Sequence, residues 1–162
     1  MLAADSSVYS KYYPNTIVTS CHSIKKFLAV IATGCDIVHL LGEVSASGII
    51  ADKSGDSLSG RSLIHHCCAA NVKLSWMASN VNSKACVIGF DIERQPINLV
   101  LTNDRRGTSF SSFLEQLLSR LSAGITMPHA WVQISPQTTN APQQSTLPVS
   151  IFVAGLGGAV FR

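Results

Sequence analysis

The chain has 162 residues, and we expect residues 1–162 to fold as a single domain. Hydrophobic residues make up 46% of the chain and charged residues 13%, so a core can form without disulfides or a metal. A formal net charge of +3, with no cluster of Lys or Arg, argues against a nucleic-acid-binding protein. No run approaches the roughly 20 apolar residues that cross a bilayer, which argues against a membrane protein.

The five cysteines indicate a reduced, cytoplasmic protein. Their number is odd, no C-x-x-C pair occurs, and the start of the chain lacks the pattern of a signal peptide. The run His65-His66-Cys67-Cys68 looks like a metal cluster, but neighbouring residues of a helix point about 100° apart and cannot converge on one ion. We expect Cys67 and Cys68 in the core, His65 at the surface, and neither a metal nor another cofactor.

Helices and extended segments alternate along the first half of the chain. Apolar residues spaced three and four apart predict a first helix, which begins after Ser20 or Ser23 and ends at Gly34. A second helix is predicted from about Ser59 to Ala70. The extended segments are a buried strand at 36–41, a short piece at 48–51 and a second buried strand at 72–77. Residues 52–60 between them are predicted to form a loop.

The second half of the chain continues the alternation. A strand at 96–102 precedes a helix that Thr108 or Ser109 caps and Gly124 closes. Residues 131–134 are predicted to form another strand, residues 138–147 a mobile loop, and residues 148–154 an edge strand. The whole pattern predicts an α/β fold with a mostly parallel sheet of about five or six strands and helices on both faces.

Two predicted strands carry the most informative residues. They are Asp36-Ile-Val-His-Leu-Leu-Gly-Glu43 and Asn71-Val-Lys-Leu-Ser-Trp-Met-Ala-Ser-Asn80. Five further pieces of the chain belong to the same pattern. Two lie between these strands and three lie after them: Gly48-Ile-Ile-Ala-Asp52, Leu58-Ser-Gly-Arg-Ser-Leu-Ile64, Asn98-Leu-Val-Leu-Thr-Asn-Asp-Arg-Arg-Gly107, Pro128-His-Ala-Trp-Val-Gln-Ile-Ser-Pro-Gln137 and Ile151-Phe-Val-Ala-Gly155. Together, from about residue 16 to 154, these resemble the caspase-like peptidases, most closely the CHAT domains of bacterial conflict and effector systems. The resemblance implies a three-layer caspase-like sandwich.

In that family the first strand delivers a catalytic histidine and the second a catalytic cysteine. The resemblance places Glu43 and Asn80 at these two positions, and Val44 replaces the glycine that follows the family's histidine. A carboxylate has no proton to donate near neutral pH, and a carboxamide does not attack a carbonyl. The resemblance therefore implies a pseudoprotease that works as a protein-binding, scaffold or regulatory module.

An active cysteine or serine peptidase with a displaced nucleophile is the alternative. Ser79 neighbours the nucleophile position, but one step along a strand turns a side chain to the opposite face. Cys86 follows a segment that is too polar for a buried strand. His39 lies in mid-strand among apolar residues, which favours a place in the core over the role of a base.

The expected binding cleft lies at the carboxyl edge of the sheet. Its border comprises Glu43, Ser79, Asn80, Arg105 and Arg106. The two arginines follow a strand and precede a helix, a place that suits an anion, although a surface turn with a local Asp–Arg pair is the simpler interpretation. We expect a protein or peptide partner; a homo-oligomer formed through the terminal edge strand is the third hypothesis.

Overall fold

A computed structural model describes residues 2–42, 44–45, 47–78, 98–102, 109–134 and 150–154. The helices of this part are α1 (Leu2–Tyr12), α2 (Ile24–Ala32), α3 (Gly60–Ala69), α4 (Ser109–Ser122) and α5 (Met127–Ile134). The strands are β1 (Ile37–Leu41), β2 (Ile49–Ala51), β3 (Ser57–Ser59), β4 (Leu74–Ala78), β5 (Asn98–Thr102) and β6 (Ser150–Ala154). None of the helices in these ranges is long and apolar enough to cross a membrane.

The main sheet has the strand order β1-β4-β5-β6 over the described residues. β4 pairs in parallel with both β1 and β5, whereas β6 runs antiparallel to β5. β2 and β3 form a separate antiparallel hairpin. An α/β fold with a mostly parallel sheet is therefore confirmed, with four described strands in the main sheet where about five or six were expected.

Side chains of β1 alternate between two hydrophobic clusters. Val38 and Leu40 belong to the α3 cluster, which also holds Ile31 of α2 and Leu63 of α3. Ile37 and Leu41 pack against the α4 cluster. The α4 cluster is formed by Tyr9, Leu74, Trp76, Phe110, Phe113, Leu114, Leu117, Leu118, Leu121, Met127, Ala130 and Ile134. Because alternate residues of a strand face opposite sides, the two clusters lie on opposite faces of β1.

The predicted helix boundaries are confirmed where they depend on capping. Ser23 caps α2, since its hydroxyl accepts a hydrogen bond from the Lys26 N–H at 3.3 Å. Ser59 caps α3 in the same way. Gly34 follows the end of α2 with φ +95°, a conformation that glycine adopts without strain.

Three predictions for secondary structure were wrong or incomplete. Residues 131–134 belong to helix α5, because Met127, Ala130 and Ile134 recur at helical spacing and all three are buried in the α4 cluster. The predicted loop at 52–60 contains β3, which pairs with β2. Helix α1 was not predicted. The loop predicted at 138–147 lies outside the described residues.

Candidate binding slot beside strand β1

The residues predicted to border the cleft are outside the described part of the chain. They are Glu43, Ser79, Asn80, Arg105 and Arg106. The strands that precede the two dyad positions are described: β1 and β4 are parallel, and the register pairs Leu41 with Ala78 at their carboxyl ends. The strand ends that precede these two positions in the sequence are therefore neighbours at one edge of the sheet.

An open cavity of about 1400 Å³ runs along β1. Its walls come from α1, the connection between α1 and α2, α2, β1 and the turn of the β2–β3 hairpin. Helix α1 packs in the α4 cluster and α2 in the α3 cluster, so the connection passes from one face of the sheet to the other beside β1. We call residues 13–23 the strap, and the cavity between the strap and β1 the slot.

β1 is the edge strand on this side of the described sheet. The Asp36 carbonyl accepts hydrogen bonds from the N–H groups of Lys73 and Leu74, at 2.9 and 3.1 Å, so it faces β4. Backbone groups of successive strand residues point to alternate sides, and those of Ile37 and Leu41 therefore point away from β4. On that side, no backbone hydrogen bond joins Ile37 or Leu41 to another described strand. The slot is thus bordered by main-chain donors and acceptors of β1.

In the wall of the slot next to α1, the Tyr9 hydroxyl and the His39 ring contact each other within an aromatic cluster. The Tyr9 hydroxyl lies 3.2 Å from His39 Nδ1. The His39 ring stacks on Trp76 with ring centroids 5.5 Å apart and lies 5.7 Å from the Phe110 ring. Asp5, one helical turn before Tyr9, is only 4% exposed. His39 thus packs against the α4 cluster, as predicted, with a tyrosine hydroxyl at one ring nitrogen.

Three described thiols, of which Cys35 lines the slot, are poor nucleophiles. Burial raises the pKa of the Cys67 thiol to about 12. Burial also raises the pKa of Cys68 and of Cys35, and the neighbouring Asp36 carboxylate adds to the effect at Cys35. A catalytic cysteine needs the opposite shift, because the thiolate is the reactive form. Cys67 is fully buried, which confirms its predicted place in the core. Cys68 is only partly buried and packs against the α3 cluster, and His65 is exposed as predicted.

Two slot-lining carboxylates are already engaged. Asp36 forms an ion pair with Lys73 at 2.8 Å. Asp52 Oδ1 accepts hydrogen bonds from the Ser54 hydroxyl and from the N–H groups of Ser54 and Asp56. Asp52 Oδ2 accepts one from the Ile24 N–H at 2.9 Å. These bonds, above all the one from the Ser54 hydroxyl, lower the pKa of Asp52. Among the described side chains, no group of three or more His, Cys, Asp or Glu residues is arranged to hold a metal ion.

Sequence reasoning did not find the slot, because the elements that border it are distant in the chain. Asp5 and Tyr9 lie on the unpredicted α1, and the strap was not singled out. No protein-family model and no curated protein sequence matches this chain. The resemblance to CHAT domains therefore stays a prediction.

Proposed function

We propose that this chain is a catalytically inactive caspase-like domain of the CHAT type that binds an extended segment of a partner protein. The proposal includes a three-layer caspase-like sandwich, a cytoplasmic location, and a role as scaffold or regulator in a bacterial conflict or effector system. One observation carries the binding function: the slot follows the side of β1 that faces away from β4, where the backbone groups of Ile37 and Leu41 have no strand partner among the described residues.

Loss of catalysis is supported by the sequence and by three of the described thiols. Glu43 and Asn80 stand at the positions where the resemblance expects the histidine and the cysteine. The pKa values of Cys35, Cys67 and Cys68 are raised, so these thiols stay protonated near neutral pH. His39 holds its Nδ1 against the Tyr9 hydroxyl within the aromatic cluster.

Strand addition is the binding mode that fits this edge. An extended segment beside β1 would exchange main-chain hydrogen bonds with Ile37 and Leu41, which gives affinity that depends little on sequence. Its side chains would alternate between the two faces of the sheet. On one face they would meet Phe27 and Ile31 of α2, and on the other Tyr9 and Tyr13, all of which line the slot. A partner segment with apolar residues at alternate positions matches this arrangement.

The test begins with peptides selected from a random display library on the whole chain. Each selected peptide is then synthesised with a single N-methyl group at successive positions, which removes one backbone donor at a time. Strand addition predicts that N-methylation weakens binding at every second residue, because only alternate N–H groups face β1. The unmethylated peptide is the matched control, and mass spectrometry after incubation reports whether it stays intact.

The results separate the hypotheses. The proposal is supported if N-methylation weakens binding at every second residue of the peptide and the peptide is not cleaved. If the effect of N-methylation does not alternate along a bound peptide, strand addition at β1 is rejected. Cleavage of the peptide at a defined bond would reject the loss of catalysis.

A further inference from the structure

The strap is fixed at its two ends and unattached between them. At its start the N–H groups of Tyr13 and Thr16 donate to the carbonyls of Tyr9 and Tyr13, at 2.9 and 3.0 Å. At its end Ser23 caps α2, and Asp52 holds the Ile24 N–H. From residue 17 to 22 no backbone hydrogen bond to another described residue occurs. The middle of the strap can therefore move without breaking either end.

The middle of the strap has the composition of a strand but lies outside any described sheet. Residues 17–19 read Ile-Val-Thr, and all three are β-branched, the class of residue that favours strands. Ile17 is 91% exposed and Val18 is 44% exposed. Removing these apolar side chains from water favours a state in which the strap packs on the body of the protein.

The side of β1 that faces away from β4 lies across the slot from this segment. Strap residues 15–23 and every residue of β1 line the same cavity. Fully extended, residues 17–22 span about 20 Å and the five residues of β1 about 16 Å, so the strap is long enough to follow the strand. The unpartnered backbone groups of the strap would then meet those of Ile37 and Leu41.

We infer that the strap closes the slot by adding residues 17–22 to the side of β1 that faces away from β4, as a further strand. In this state the strap occupies the edge that a partner segment needs, so closure inhibits binding. The inhibition rests on the proposed function, whereas closure is a property of the isolated chain.

Hydrogen exchange of the Ile37 and Leu41 amides tests closure without any partner. The variant Ile17→Asp places a charge where the closed strap would pack, and it is expected to fold normally because Ile17 is exposed in the open state. We expect both amides to exchange at least about threefold faster in I17D than in the native chain. The matched control is Val132→Asp on α5, where a valine is 63% exposed away from the slot, and its rates should equal those of the native chain.

Unchanged exchange of both amides in I17D would overturn closure, whatever the result of the peptide selection. Equal acceleration in I17D and V132D would also overturn it, because the effect would then be global. If closure is confirmed, a selected peptide should bind I17D more tightly than the native chain, and equal affinities would overturn the inhibitory role. A library that yields no binding peptide on I17D, where the strap is expected to be open, would reject the proposed function and leave the exchange result standing.

Discussion

The Asp52 carboxylate accepts a hydrogen bond from the Ile24 backbone N–H across 2.9 Å and so joins the turn of the β2–β3 hairpin to the first residue of α2. The same carboxylate stabilises the turn of the hairpin, because it accepts hydrogen bonds from the Ser54 hydroxyl and from the N–H groups of Ser54 and Asp56. A single charged side chain thus joins the hairpin to the start of the helix, and the strap ends at this junction.

Asp52→Asn should lower the melting temperature at neutral pH, because a neutral amide binds these donors more weakly than a carboxylate. The folded pKa of Asp52 is lowered, so its contribution to stability is present above the unfolded pKa and is lost as pH falls through the folded pKa. Thermal unfolding followed by circular dichroism, from neutral pH into the acid range, should show the difference between native chain and variant shrinking. A difference that stays constant down to the lowest pH would contradict the assignment.

Asp56→Asn is the matched control for that series. Asp56 sits in the same turn, but within the described residues only its backbone groups form hydrogen bonds. We expect its melting temperature to follow that of the native chain at every pH. Equal effects of the two substitutions would show that the charge of the turn matters and not the specific bonds of Asp52.

Tyr9→Phe should reduce the free energy of unfolding by about 1 kcal/mol, because it removes a hydroxyl that is hydrogen-bonded in a largely buried site. In the His39→Phe variant, Tyr9→Phe should lower the free energy of unfolding by less, because the hydroxyl no longer has the imidazole as its hydrogen-bond partner. Urea unfolding of the two single variants and the double variant gives the coupling between the residues. Strict additivity would contradict the Tyr9–His39 hydrogen bond.

Leu117→Ala should destabilise the chain by about 2 to 5 kcal/mol, because Leu117 is fully buried in the α4 cluster and the truncation leaves a cavity. Val132→Ala, at an exposed position of α5, should change stability by less than about 0.5 kcal/mol. Chemical denaturation of both variants measures the contrast. A small loss for L117A would mean that α4 does not form the core on this face of the sheet.

Cys67 should resist alkylation by iodoacetamide in the native chain at about pH 8, since burial raises its pKa to about 12 and blocks access. Cys35 and Cys68 should react more slowly than a free thiol, and all three should react fully in denaturant. Peptide mapping by mass spectrometry reports each site. Rapid native alkylation of Cys67 would contradict its placement in the core.

The elements predicted correctly are those that depend on neighbouring residues in the sequence, such as apolar spacing and capping residues. The spacing of apolar residues and the Ser23 cap were sufficient for α2, and β1 was recognisable because its side chains are apolar on both faces. Residues 131–134 were misassigned because tryptophan, valine and isoleucine favour strands locally, whereas packing on α4 makes them helical.

The slot and α1 depend on contacts between distant parts of the chain. Helix α1 lacks a clear apolar stripe, and its position is set by Tyr9 in the α4 cluster and by the ion pair between Lys11 and Glu115. The slot exists because α1 and α2 pack on opposite faces and force the strap past β1. No local pattern encodes that crossing, so the slot could not be predicted from the sequence.

The central claim is that this chain binds a peptide segment without attacking it. Intact-mass spectrometry of the native chain after incubation with a peptidyl acyloxymethyl ketone, which reacts covalently with activated active-site thiols, tests the claim most directly. We predict no stoichiometric adduct on the native chain. One adduct per chain at a single residue, abolished when the protein is denatured before incubation, would contradict it.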